Sequence, residues 1–290
     1  MTAVGLLASL CFWPASAADR QATIPDFSGI WSHPFLTGFE PPASGPGPVL
    51  NRSRRPDGAA NFQQLVGDYT NPILKPEAAA EVKRHGDISL AGKGYPTPSN
   101  QCWPQGVPYI FWDFLVQIFQ EPNQVTLLYR QGNEVRRVRM NQKHPARVTP
   151  SWYGDSVGHY EGDTLVIDTV GVKKGPYAML DMYGTPFSEK LHLVERYRLL
   201  DYAQAKPALD RNDKENIHAG GGWDFDPNYR GKVLQLTFTV EDEGVFTMPW
   251  NSTITYRPSV DPWTELICAE NPREFDNTVS HFPIADKPDF

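Results

Sequence analysis

The chain has 290 residues, of which 40% are hydrophobic, 21% charged and 12% aromatic, and its formal net charge is -7. Those proportions exclude a disordered chain, a collagen and a coiled coil, and the acidic balance argues against a nucleic-acid or anionic-membrane footprint. The 27 Pro and 23 Gly make 17% of the chain, above the usual ~12%, which predicts many turns and few long helices.

Residues 4–13 form an apolar run, followed by Pro14 and the small-residue cleavage signal Ala15-Ser16-Ala17. Residues 1–17 are read as a secretory signal peptide, which places the mature protein in the periplasm or outside the cell. The run is too short to span a bilayer, and the sequence has no further apolar stretch of 18 residues, so no membrane insertion is expected after removal of the signal. Loss of Cys11 leaves Cys102 and Cys268, and a single pair in an exported chain forms one disulfide as a rule. A thiol nucleophile or metal-bound thiolate is the lesser alternative, since neither has His or a second Cys at ligand spacing.

Residues 32–110 hold 12 Pro and 9 Gly. That density predicts an irregular insertion that wraps or plugs the main domain. One helix fits there, with Pro76 in the first turn, good formers over 77–84 and Gly86 as the C-terminal cap. Trp103, Tyr109, Phe111 and Trp112 call for burial. From residue 114 on, short runs alternate with tight turns: 114–119, 125–130, 134–140, 156–160, 164–170, 191–200, 233–241, 245–248 and 251–257. With 27–31 about nine strands emerge, and no helix is expected between consecutive strands. The pattern predicts an all-β fold, a single domain over 18–290, with an antiparallel sheet closed into a barrel; a β-sandwich is the alternative.

Strand periodicity puts Leu191, Leu193, Glu195, Tyr197 and Leu199 on the core face, so Glu195 needs a partner or a raised pKa. His192 falls on the opposite face. Arg137 or Arg139 can pair with Glu195 or hold a developing negative charge. Polar and aromatic residues crowd 144–163: His144, Trp152, Tyr153, Asp155, His159, Glu161. His159 and Glu161 share a strand face, as a base with its orienter or as two legs of a metal site. Asn216-Ile217-His218 runs into Gly220-Gly221-Gly222-Trp223, a candidate lid. There is no G-x-S-x-G elbow, Walker A or Rossmann fingerprint, so no organic cofactor is expected.

Phe27-Ser28-Gly29-Ile30-Trp31 resembles the G-x-W opening strand of lipocalin-like barrels, and the resemblance implies a calycin-type barrel closed at its base by the Trp. Residues 151–165 are similar to a stretch in a group of uncharacterised secreted bacterial proteins, which implies no activity. Lipocalins lack an insertion like 32–110. A barrel of this kind encloses a cavity for one small ligand. The expected function is an exported enzyme that acts on a small hydrophobic or aromatic molecule by acid–base chemistry, as a lyase, isomerase or hydrolase. Its base would be His159, its orienter Asp155 or Glu161, its buried acid Glu195, its anion clamp Arg137 or Arg139, and its substrate contacts Trp152, Tyr153 and His144. A periplasmic carrier of an apolar ligand is the alternative, and a filled structural barrel a third. A carrier needs fewer titratable groups, so the enzyme is preferred.

Overall fold

The computed structural model describes residues 24–217 and 224–268; the segment expected to be a signal peptide, 1–17, and the candidate lid residues 218–223 lie outside them. Among the described residues nine strands close into a barrel in chain order. They are β1 (Gly29–Ser32), β2 (Leu115–Gln120), β3 (Gln124–Tyr129), β4 (Glu134–Met140), β5 (Asp155–Glu161), β6 (Thr164–Val170), β7 (His192–Leu200), β8 (Val233–Glu241) and β9 (Trp250–Pro258). Closure occurs at β1, where Trp31 pairs with Val116 of β2 on one side and Pro258 of β9 on the other.

The barrel is mixed rather than purely antiparallel. β4 and β5 run parallel, while the other eight neighbouring pairs are antiparallel. The reason is parity. Going once round a closed ring, strand direction must return to itself, so reversals come in even numbers. Nine pairs therefore require at least one parallel pair, and a parallel pair needs a crossover. Residues 141–154 supply it.

Local chemistry explains most boundaries. β3 turns into β4 through residues 130–133, where Asn133 N–H donates to Arg130 O at 3.2 Å and Gly132 and Asn133 are both left-handed at φ 73° and 50°, a conformation that glycine and asparagine tolerate best. α1 (Pro76–Leu90) starts on Pro76 as expected but runs through Gly86. Gly86 is buried against Val66, so its missing side chain serves close packing rather than a cap. The helix closes on Gly92 instead, with Lys93 N–H donating to Ile88 O and Gly92 N–H to Ser89 O.

Two expectations about the second half are corrected. α2 (Tyr202–Glu215) sits between β7 and β8, started by Asp201 and Gln204 in a reciprocal capping box. It buries Ala205 and Leu209 against Val233, and Asn212 donates to Thr255 O at 2.9 Å. Residues 245–248 are not a strand. The Asp242 carbonyl takes the N–H groups of Val245 and Phe246, and Thr247 N–H donates to Ile73 O, so this segment docks the insertion.

The insertion plugs the barrel. Phe39 and Phe111 meet the lumen-facing Phe238 edge-on at 5.1 and 5.3 Å. Tyr109 and Phe111 are fully buried, as expected, whereas Trp103 is 38% exposed. The interior is filled by Tyr129, Tyr197, Phe238, Trp250 and Tyr256. A disulfide joins Cys102 to Cys268 with Cα atoms 5.4 Å apart. No helix among the described residues is long and apolar enough to cross a membrane.

Candidate functional site

The expected site residues fall into four separate places. Glu195 lies inside the barrel, 0% exposed, and its partner is Arg136, 1% exposed. Arg136 Nη1 and Nη2 donate to the two carboxylate oxygens at 2.9 and 2.5 Å. Thr169 Oγ1 takes the second Nη2 N–H at 2.6 Å and Ser156 Oγ the Nε N–H at 3.2 Å, and the Tyr197 hydroxyl donates to Glu195 at 2.9 Å. Burial works against the Arg136 charge, and the neighbouring carboxylate outweighs it, holding the guanidinium above its ordinary value. The expected partners Arg137 and Arg139 are on the outer face, because β4 turns Arg136, Val138 and Met140 inward. Arg137 is exposed there.

A chain of charges runs across the outside of β4 to β8. Arg139 Nη2 donates to both Asp155 oxygens at 2.7 and 2.9 Å. His144, on the crossover, sets Nδ1 2.6 Å from Asp155 and Nε2 2.8 Å from Asp168. His192 then sets Nε2 3.0 Å from Asp168 and Nδ1 3.1 Å from Glu241. Strand register explains the last links: Val170 pairs with His192 and Asp168 with Val194, so Asp168 and His192 are diagonal neighbours on one face. The hydrogen bond to Asp168, helped by Glu241, raises the His192 imidazole to about 9, and the same bond lowers the Asp168 carboxyl. Every ring nitrogen in this chain faces a carboxylate. Its evident work is to clamp the crossover to the barrel wall.

His159 and Glu161 do meet, at 3.0 Å, with Glu161 also taking Arg196 at 2.6 Å. Both are half exposed at the far end of β5. Six residues separate His159 from Tyr153, roughly 20 Å along an extended chain, so this pair does not join the crossover residues. Asp155, proposed as orienter for His159, is taken by Arg139 and His144.

The fourth place is a cleft outside the barrel, and it gathers groups that sequence reasoning missed. The parallel register Val138↔Ser156, carried back three residues, sets Tyr153 level with Val135 and beside Glu134. Gln105 N–H donates to Glu134 Oε1 and Oε2 at 3.0 and 3.2 Å, and the Tyr153 hydroxyl is hydrogen-bonded to the same carboxyl. Burial pushes the Glu134 carboxyl up to about 7, against those two hydrogen bonds and with help from the Asp113 charge. Burial and the Glu134 charge push the Tyr153 phenol upward too, so it stays a donor. Behind the cleft, Asp113 is buried and also raised to about 7; its Oδ2 accepts Gln131 N–H at 2.8 Å.

Glu134 and Tyr153 open into a cavity of 430 Å³, bounded by Trp103, Gln131, Asn133, Val135 and the Cys102–Cys268 disulfide. Trp103 meets Trp152 edge-on at 5.5 Å and Tyr177 at 6.0 Å. Trp152 itself packs behind Trp103, with the Lys173 ammonium 4.7 Å from its ring on one side. Gly175 also lies against this ring, where a side chain would come within 2.6 Å of it. A second groove of 640 Å³ runs along α1, rimmed by the Glu81–Arg84 ion pair and Tyr95. The only sequence signal for Glu134 was its place directly after the Gly132-Asn133 turn.

No family model, no curated protein and no solved structure matches this chain.

Proposed function

We propose that this is an exported protein that binds a small molecule with an apolar or aromatic face in the Glu134 cleft and acts on it by acid–base chemistry. The observation that supports this best is the position of the Glu134 carboxyl. It is largely buried, fixed by Gln105 N–H and the Tyr153 hydroxyl, and lines a cavity large enough for one small ligand. A carboxyl that titrates near neutrality can give or take a proton at working pH. Glu134 is the acid–base group in this proposal, Tyr153 the donor that orients it, and Trp103 and Val135 the apolar wall. In this proposal Glu134 takes or gives the proton in a lyase, isomerase or hydrolase step that uses no organic cofactor. The filled interior moves the proposed site from the lumen to the outside, away from Glu195. The barrel is lipocalin-like in this proposal, on the support of Trp31, buried where β1 meets β2 and β9.

The test is untargeted mass spectrometry of a periplasmic metabolite extract incubated with the wild-type protein or with Glu134→Gln. The expected result is a conversion that the variant slows by about 10²-fold or more. Equal conversion by both proteins would refute the role of Glu134. A carrier is the second reading, favoured by the one N–H that already engages both Glu134 oxygens. It predicts an unchanged molecule that copurifies with the protein.

A further inference from the structure

The chemistry of the cleft wall, taken together with the function proposed above on which it rests, narrows the ligand class. We propose that the cleft takes a neutral, hydroxyl-rich ring, a saccharide or cyclic polyol, with its C–H face on Trp103 and its hydroxyls on the amides of Gln131 and Asn133 and on Glu134.

Charge comes first. Among the described residues, none that bounds the cavity is Lys, Arg or His. A phosphate, sulfate or carboxylate would meet no counter-charge there and would face Glu134, with Asp113 behind it. Anionic ligands are therefore disfavoured at close range. Hydrogen-bonding character comes second. Among the described residues the Gln131 side-chain amide has no protein partner, and Asn133 Nδ2 has only a 3.4 Å contact to Glu265. Amides both donate and accept, which matches hydroxyls that do both. A cationic ligand would use the carboxylate and the aromatic wall but would leave these amides idle.

Shape comes third. Trp103 is the large exposed aromatic of this wall, and two edge-to-face contacts fix its ring. Val135, 43% exposed, adds apolar surface beside it. An exposed, rigid indole next to free amides suits a molecule with one apolar face and a polar rim. A flat aromatic hydrocarbon would gain the indole and waste the amides. A volume of 430 Å³ has room for a mono- or disaccharide.

The experiment is saturation-transfer NMR and tryptophan fluorescence on the oxidised full chain. The neutral panel is glucose, galactose, N-acetylglucosamine, cellobiose and maltose. The charged panel is glucuronate, glucose 6-phosphate and choline. The expected result is saturable binding of at least one neutral sugar, weakened tenfold or more in Trp103→Ala. Glu134→Gln, whose amide still hydrogen-bonds but carries no charge, should weaken binding of that sugar less than Trp103→Ala does. Circular dichroism confirms that both variants fold. Binding of a charged probe only, lost in Trp103→Ala, would overturn the saccharide class while supporting the cleft as a site. Binding that neither variant changes would overturn both the class and the cleft. No binding by any neutral sugar would overturn the class alone, since conversion of another metabolite in a Glu134-dependent manner would still stand.

Discussion

Replacing Glu195 by Leu leaves the Arg136 guanidinium sealed inside the barrel without a counter-charge. The side chain is 1% exposed, so water cannot stand in for the lost carboxylate. Ser156 and Thr169 still accept N–H groups, but the N–H groups aimed at Glu195 and the Tyr197 hydroxyl lose their acceptor. Breaking a buried pair from one side costs about 3–5 kcal/mol. Against a typical total stability of about 5–15 kcal/mol, that is about a fifth of it or more. Arg136→Met should cost a similar amount, by stranding the carboxylate. The double variant removes both charges together, and an apolar pair of similar volume is about neutral by comparison. Urea unfolding of the oxidised protein, fitted by linear extrapolation, measures all four corners of this cycle. The expected pattern is two damaged single variants and a double variant close to wild type, with conversion at the Glu134 cleft retained. A single variant that loses under 1 kcal/mol, or a double variant that loses the sum of the two, would refute this account of the interior.

Further predictions follow from titration. Asp113 is raised by burial, so its neutral form suits the fold; its contribution is complete below the unfolded value near 4 and lost as pH rises to about 7. Asp113→Asn should therefore flatten the fall in stability between pH 4 and 7, by up to about 4 kcal/mol at neutral pH, in urea titrations at a series of pH values. His192 has the opposite charge type and a raised value of about 9, so its stabilisation is full below about 6.5 and fades as pH climbs to 9. His192→Gln should remove that alkaline loss and cost about 1 kcal/mol at pH 6, less in high salt, because the pair is a third exposed. A wild-type stability curve that is flat from pH 6.5 to 9.5 would contradict the clamp.

Much of the barrel was legible because its strands obey period two and end on strong turn chemistry. The Gly132-Asn133 hairpin and the inward Glu195 are examples. The parallel β4–β5 pair was not legible, because it is a consequence of closure with nine strands rather than of any local residue. α2 hid behind its Pro207 and a polar composition, although Asp201 and Gln204 announced its start. Residues 245–248 look like a strand and lose that form to the Asp242 turn and the docked Ile73. Arg136 was passed over as the Glu195 partner because three arginines in four positions leave the inward one undetermined until β3 and β5 set the register. The cleft was least legible of all. Glu134, Gln105, Tyr153 and Trp103 come together only through a crossover, a plug and a disulfide whose span is 166 residues.

The central claim is that Glu134 is a neutral-range acid–base group in an open cleft. Carboxyl-selective ¹³C NMR of the wild-type protein and of Glu134→Gln, titrated from pH 3 to 9, reads it directly. The account predicts a glutamate carboxyl signal with a midpoint near 7 that is missing from the variant and moves further up in Tyr153→Phe, where one lowering hydrogen bond is gone. A Glu134 signal that titrates with the other glutamates, between about 4 and 5, would contradict it.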